Sequence, residues 1–267
     1  MGVTAANGVP ADIAAYRDLW RAAPADVAGR HGVALREVAG GVCLGCASMS
    51  GAPILNHALG VGVRAPAGEA ELDEIQSFYD SLGAGYSVAV DAAASGLGGL
   101  LERRGFSEAR PWMTFRRGSG PTPRAGGLRV EETGPSRAAA FGSIVAAAFE
   151  MPADFAGWMA ALVDRPGWTA LLALDGDEPV GAAALFVHGR AGWLGMGATL
   201  PEHRGKGAQG ALFAERLRRA DELGLEAVLT ETGAPVGDER PGPSYRNMLR
   251  YGFSEAGLRP NLRSPGA

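Results

Sequence analysis

Apolar residues recur along this chain with two alternating periods, and these divide it into helices and strands. Spacings of three and four put Ile13, Tyr16, Leu19 and Trp20 on one side of a helix predicted over 11–29. Apolar runs predict strands at 33–38, 41–49 and 54–63. The helical period returns over 68–82, with Leu72, Ile75, Phe78 and Tyr79 inward. A strand at 86–90, a short helix at 97–104 stopped by Gly105, and a strand at 112–116 follow. The stretch 118–127, GSGPTPRAGG, has no apolar period and a high Gly and Pro content, which marks a connection. After it the predicted order is a strand at 128–132, helices at 135–149 and 153–163, and strands at 169–174, 180–188 and 192–199. A loop and long helix over 201–224, a strand at 227–230 and a helix at 244–250 complete the pattern.

The two halves repeat one another. Gly105-Phe106-Ser107-Glu108-Ala109 recurs letter for letter as Gly252-Phe253-Ser254-Glu255-Ala256. Upstream, Leu59-Gly60-Val61-Gly62 parallels Leu194-Gly195-Met196-Gly197, each at the end of a strand that precedes a long helix. A duplicated α/β unit is therefore expected, with domains at 1–118 and 127–267 joined by 119–126, and with the first unit lacking a strand before its first helix.

Composition narrows the classes. The 267 residues are 46% hydrophobic and 20% charged, with a net charge of -4, as in an ordinary globular protein. No basic stripe extends beyond one loop and its helix, so no nucleic-acid partner is expected. No apolar run reaches membrane-spanning length and residues 1–10 lack a signal-peptide pattern, so no membrane partner and a cytoplasmic location are expected. Cys43 and Cys46 have CxxC spacing but no second pair to complete a metal site; they read as strand thiols without a role, and no metal is expected.

The candidate chemistry lies in the loop Arg204-Gly205-Lys206-Gly207-Ala208-Gln209 at the start of the long helix. Glycines let successive backbone N–H groups turn to one side, the helix start adds the positive end of its dipole, and Arg204 and Lys206 add full charges. Each charged hydrogen bond to a bound anion contributes about 1.5–3 kcal/mol. The loop lacks the Lys-Ser/Thr that would follow its last glycine in a nucleotide P-loop. At the matching place in the first half, Glu69, Glu71, Asp73 and Glu74 crowd the helix start, where they would repel a diphosphate.

That loop, with the preceding Pro-Glu-His and the following helix, strand and Gly252-Phe253, resembles the pyrophosphate loop of GCN5-related N-acetyltransferases (GNAT): Arg or Gln, two residues, Gly, one residue, then Gly or Ala. Gln209 stands at the last position, a departure. The resemblance covers 127–258 closely and the first half in outline. It implies two tandem acyl-coenzyme A N-acyltransferase folds, each a mixed central sheet flanked by helices, with the first degenerate. It also implies acetyl-coenzyme A as cosubstrate, held by Arg204, Gly205, Lys206, Gly207, Ala208 and Gln209. Gly197, Ala198 and Thr199 would hold the pantetheine arm on a splayed strand, one backbone N–H serving as oxyanion donor.

The family often has a Tyr four residues before the Gly-Phe pair and an Asn about seven before that; here Met248 and Pro241 occupy those places. Helical spacing gathers Ser244, Asn247, Met248 and Tyr251 on one face, so Ser244 or Tyr251 is the candidate acid and Asn247 a candidate for the pantetheine amide. Ser244 after Pro243 also suits a helix cap. Glu231 is the first candidate base, with Glu150 and His188 behind it, and Phe149, Met151, Trp158 and Trp193 are candidate pocket walls. The expected activity is acetyl transfer to a small-molecule or peptide amine by a monomer or homodimer; the alternative is a non-catalytic acyl-coenzyme A-binding module.

Overall fold

The computed structural model describes residues 10–52, 54–123 and 127–266. The first half runs α1 (Ala11–Arg21), α2 (Ala25–His31), β1 (Val33–Val38), β2 (Gly41–Cys46), β3 (His57–Leu59), α3 (Glu69–Leu82), β4 (Ser87–Ala89), α4 (Leu97–Arg103) and β5 (Ser107–Gly118). The second runs β6 (Arg129–Glu132), α5 (Ala138–Ala148), α6 (Phe155–Ala160), β7 (Trp168–Asp175), β8 (Glu178–His188), β9 (Ala191–Thr199), α7 (Ala208–Glu222), β10 (Ala227–Gly233), α8 (Pro243–Arg250) and β11 (Ser254–Arg263).

Most differences from the sequence reading have local causes. The single helix expected over 11–29 is two, because Pro24 cannot continue a helix and caps α2 instead. The strand expected over 54–63 keeps only β3, since Gly60 and Gly62 turn the chain with φ of 68° and 79°. The strand expected over 112–116 is longer, β5 running from Ser107 through Gly118, and 124–126 lie outside the described residues. β11 carries too few apolar residues, and a Gly and a Pro, to announce itself as a strand.

The strands form one sheet in the order β1-β2-β3-β4-β11-β5-β10-β9-β8-β7-β6. The mixed sheets expected for the two halves are thus joined edge to edge. In each half one parallel pair, β3 with β4 and β9 with β10, is followed by a strand exchange. β11 pairs antiparallel with β4 of the first half, β5 pairs antiparallel with β10 of the second, and β5 and β11 pair with each other. The repeated Gly-Phe-Ser-Glu-Ala segments open these two exchanged strands. Ser107 pairs with Arg263 and Ser254 with Arg116, so the repeats lie at opposite ends of the central ribbon, as a twofold duplication requires.

The faces of the sheet divide the core. Ala182, Ala184 and Phe186 of β8 join the cluster that contains α1, α5 and α6, whereas Leu185 joins Phe213 and Leu217 of α7. The first face binds the halves together. Trp158 of α6 is fully buried, meets Trp20 of α1 edge-on at 5.2 Å, and donates to the Leu19 carbonyl at 2.7 Å. Cys43 and Cys46 also lie on opposite faces, in different clusters, and both are free thiols. Burial pushes the Cys43 thiol up to about 12, so neither redox pairing nor thiolate chemistry is built in here.

A buried ion cluster locks the exchange. Arg259 of β11 donates to Asp12 of α1 at 2.8 Å, Asp91 after β4 at 3.0 Å and Glu231 of β10 at 3.1 Å. Removing one member of a buried ion pair leaves a stranded charge, at a cost of about 3–5 kcal/mol. Arg259→Ala should therefore lower the urea midpoint sharply at neutral pH; a midpoint equal to wild type would show that the cluster does not hold the halves.

Candidate active site

The loop before α7 has the geometry of an anion cradle. Gly205 and Gly207 adopt φ of 81° and 91°, a region that side chains disfavour. Gly207 is the residue that caps α7, so no side-chain oxygen fills the helix start, as a Ser or Asp would. Among the described residues the backbone N–H groups from Gly205 to Gly210 find no acceptor. They open onto a cleft of about 850 Å³ lined by Arg204, Gly205, Gly207, Ala208 and Gln209, and by Gly197, Ala198 and Thr199 across it. Arg204 has no ion-pair partner among the described residues. Lys206 does not line the cleft: its Nζ lies 3.2 Å from Asp175 Oδ2 on β7. In the first half the acidic helix start is occupied internally. Glu71 accepts from the Gly68 N–H at 2.8 Å, and Glu69 and Asp73 pair with Arg104.

The cleft exists because β9 and β10 part. They pair only from Ala227↔Ala191 to Leu229↔Trp193, after which β9 follows β8 and β10 follows β5. Thr230 Oγ1 bridges to the Leu194 carbonyl at 3.0 Å where the gap begins. A bulge then sets Met196 and Gly197 against one residue of β8, with Met196 at a left-handed φ of 54°. Backbone held in that region is strained for a side chain and re-aims its neighbours, here directly at the cleft.

α8 forms the opposite wall. Ser244, Asn247 and Tyr251 all line the cleft, and Met248 on the same face lines a second, inner cavity. The cap of α8 is Gly242, so Ser244 is not consumed as one. Asn247 donates to Gln209 Oε1, which ties α8 to α7 and gives the departure at Gln209 a structural use. Tyr251 stacks on Phe213 at 5.3 Å, and burial raises its pKa.

The inner cavity, about 210 Å³ and mostly apolar, meets the cleft at Phe149, Gly197, Gln209 and Ser244. Met151, Trp158 and Trp193 line it, as their positions in the sequence indicated. Its far wall comes from the first half, through Tyr16, Leu19, Trp20, Ile54 and Leu55. Glu231 lines it too, with a side chain only 7% exposed. One carboxylate oxygen accepts from Arg259, and the Tyr16 hydroxyl lies close enough to the carboxylate to lower its pKa. Burial raises the Glu231 pKa to about 7; Arg259 opposes that rise, and Asp12 adds to it. Glu150 and His188 line none of these cavities. Glu150 is exposed beyond α5, and His188 ends β8 away from the junction.

Three features were not foreseen. Tyr16 and Leu19 look like plain core in the sequence, and only the docking of α1 makes them walls. The left-handed Met196 carries no local signal. Arg216 did carry one: it falls on the apolar face of α7, between Phe213 and Leu217, and is 2% exposed. Carbon-13 NMR of the Glu231 carboxyl should give a midpoint near pH 7; a midpoint in the ordinary carboxylate range would contradict the burial described here.

Residues 139–237 match the family model "Acetyltransferase (GNAT) family". A search of curated proteins returned no match. Among solved structures, the chain is similar to a GCN5-related N-acetyltransferase from Kribbella flavida, at a TM-score of 0.65 and 19% identity over 100% of this chain and 97% of that one. A second from Sphaerobacter thermophilus matches at 0.63 and 16%, over 91% and 86%. A tandem GNAT protein from the clavulanic acid biosynthesis pathway matches at 0.59 and 14%, over 84% and 78%.

Proposed function

We propose, on the match of residues 139–237 to the GNAT family model, that the chain transfers an acetyl group from acetyl-coenzyme A to a primary amine. The observation that carries this reading is the junction of two spaces: an anion cradle and splayed strand on one side, and on the other an apolar cavity with a buried carboxylate, Glu231, whose pKa burial raises. The cradle fits a diphosphate, with its unfilled amides from Gly205 to Gly210 and Arg204 beside them. Lys206, tied to Asp175, contributes charge at a distance.

The thioester supplies an activated acetyl group, and the chain's residues supply the rest. The edge of β9 beyond the bulge, at Gly197, Ala198 and Thr199, offers backbone groups to the pantetheine arm. An N–H there supports the charge that develops on the carbonyl oxygen; such a donor is worth about 10²–10³ in rate. Glu231 takes a proton from the substrate ammonium, which frees the neutral amine to attack the thioester; its raised pKa suits a base at neutral pH. Ser244, at the junction, is better placed than Tyr251 to protonate the leaving thiolate, because Tyr251 lines only the outer cleft. In this reading the N-terminal half, 1–118, binds no coenzyme; it walls the acceptor cavity and, through Asp12 and Asp91, holds the Arg259 that pairs with Glu231, while 127–267 carries the coenzyme site.

The experiments are titration calorimetry with acetyl-coenzyme A and a thiol-release assay against an amine panel. Arg204→Ala should weaken binding at least tenfold, since one charged hydrogen bond is worth about 1.5–3 kcal/mol, and Lys206→Ala by less than about threefold. Unchanged affinity in Arg204→Ala would rule out the cradle. With turnover in hand, kcat/KM should rise with pH through about 7, as Glu231 loses its proton, and level off above. Glu231→Gln should remove that dependence and lower kcat/KM about 10²-fold. Tight coenzyme binding without turnover of any amine would favour a binding module instead.

A further inference from the structure

One buried charge on α7 has no carboxylate counterpart among the described residues. Arg216 sits on the buried face of α7, 2% exposed, and among the described residues no carboxylate lies within ion-pair distance. Its guanidinium is satisfied only in part. Nε donates to the Leu212 carbonyl at 3.1 Å, one turn back in its own helix. Nη1 reaches the carbonyls of Ala184 and Gly195 at 3.4 and 3.3 Å, both long for such bonds. The plane lies over Phe213, 4.7 Å from the ring centre. Nη2 has no partner among the described residues. It lies beside the bulge: a Cβ placed on Gly197 would be 3.9 Å from it.

A buried charge is retained against a large desolvation cost unless something pairs with it, and an apolar residue of similar volume would fill this position more stably. Burial lowers the Arg216 pKa to about 9, which still leaves it charged at neutral pH. Its neighbours on the helix face, Phe213 and Leu217, are plain core, so the sequence breaks its own pattern at this one place. The break coincides with a site. Arg216 lines the inner cavity and not the outer cleft, next to the residue where the two spaces meet.

Resting on the transferase reading above, we infer that the inner cavity is built to receive a substrate carboxylate, which pairs with Arg216 beyond the reacting thioester. A guanidinium whose Nη2 is free, and whose other bonds are long, is a side chain suited to a carboxylate. Trp193 lines the same cavity from the other face of the sheet, with an Nε1–H that is buried without a partner. Glu231 lines the same cavity, and a bound amine next to it would leave the carboxylate end of the same or the partnering substrate for Arg216. Two sources have this chemistry: the far end of a dicarboxylic acyl group carried by coenzyme A, or the carboxylate of an amino acid or peptide acceptor.

Matched pairs distinguish them. In the donor arm, succinyl-coenzyme A is titrated against butyryl-coenzyme A. In the acceptor arm, N-acetylphenylalanine is titrated against its amide, with coenzyme A saturating. In one arm the carboxylate member should bind wild type at least tenfold tighter than its neutral partner, and Arg216→Gln should erase that preference while leaving affinity for coenzyme A itself unchanged. The arm that responds names the source. No preference in either arm, or a preference that survives in Arg216→Gln, would overturn the inference. Should Arg216→Gln fail to fold, Arg216→Met and Arg216→Lys replace it, with loss of the preference expected in Met and at least part of it kept in Lys. Wild type that binds no coenzyme A at all would overturn the transferase reading first, and this inference with it; wild type that binds coenzyme A but shows no carboxylate preference overturns the inference alone.

Discussion

The exchange of terminal strands is the constraint from which the rest follows. β11 must leave α8 and enter the first half beside β4, and β5 must cross to β10, so neither half has a complete sheet without the other. Two consequences bear on chemistry. β10 is held on its β5 side along its whole length, from Ala227 to Gly233, which leaves it free to part from β9 on the other. And Arg259, carried on the exchanged strand, arrives against Glu231, a residue that would otherwise be an isolated buried acid.

The same exchange explains why a duplicated chain keeps one worn half. Its α1 supplies Asp12 to the ion cluster and Tyr16, Leu19 and Trp20 to the inner cavity. A helix start full of carboxylates, with Glu71 on the Gly68 N–H and Arg104 paired to Glu69, offers no net positive charge to a diphosphate, and nothing in these other duties demands one. The halves are specialised by local electrostatics while sharing a sheet.

Much of this was legible in the residues. The long helices and most strands follow from period alone, and the loop at 204–209 announces its chemistry because glycine conformation and charge are local properties. The face Ser244, Asn247, Met248 and Tyr251 also emerged from spacing, since one helix fixes it. What was hidden is what depends on partners distant in sequence. The SEAGLRPNLR strand has weak strand propensity and exists because β4 and β5 present it with edges on both sides. Glu231 could be named as a candidate, but its elevated pKa comes from burial under α1 and from Asp12, more than 200 residues away. Lys206 shows the converse: its charge is local, but the Asp175 on β7 that it meets is not.

The central claim is that the second half grips a diphosphate and the first half does not. A crystal structure with acetyl-coenzyme A tests it most directly. The account requires one coenzyme per chain, its diphosphate against the amides of Gly205 to Gly210 and its thioester beside Met196 and Gly197. Coenzyme at the start of α3, or a second half left empty at saturating ligand, would contradict it.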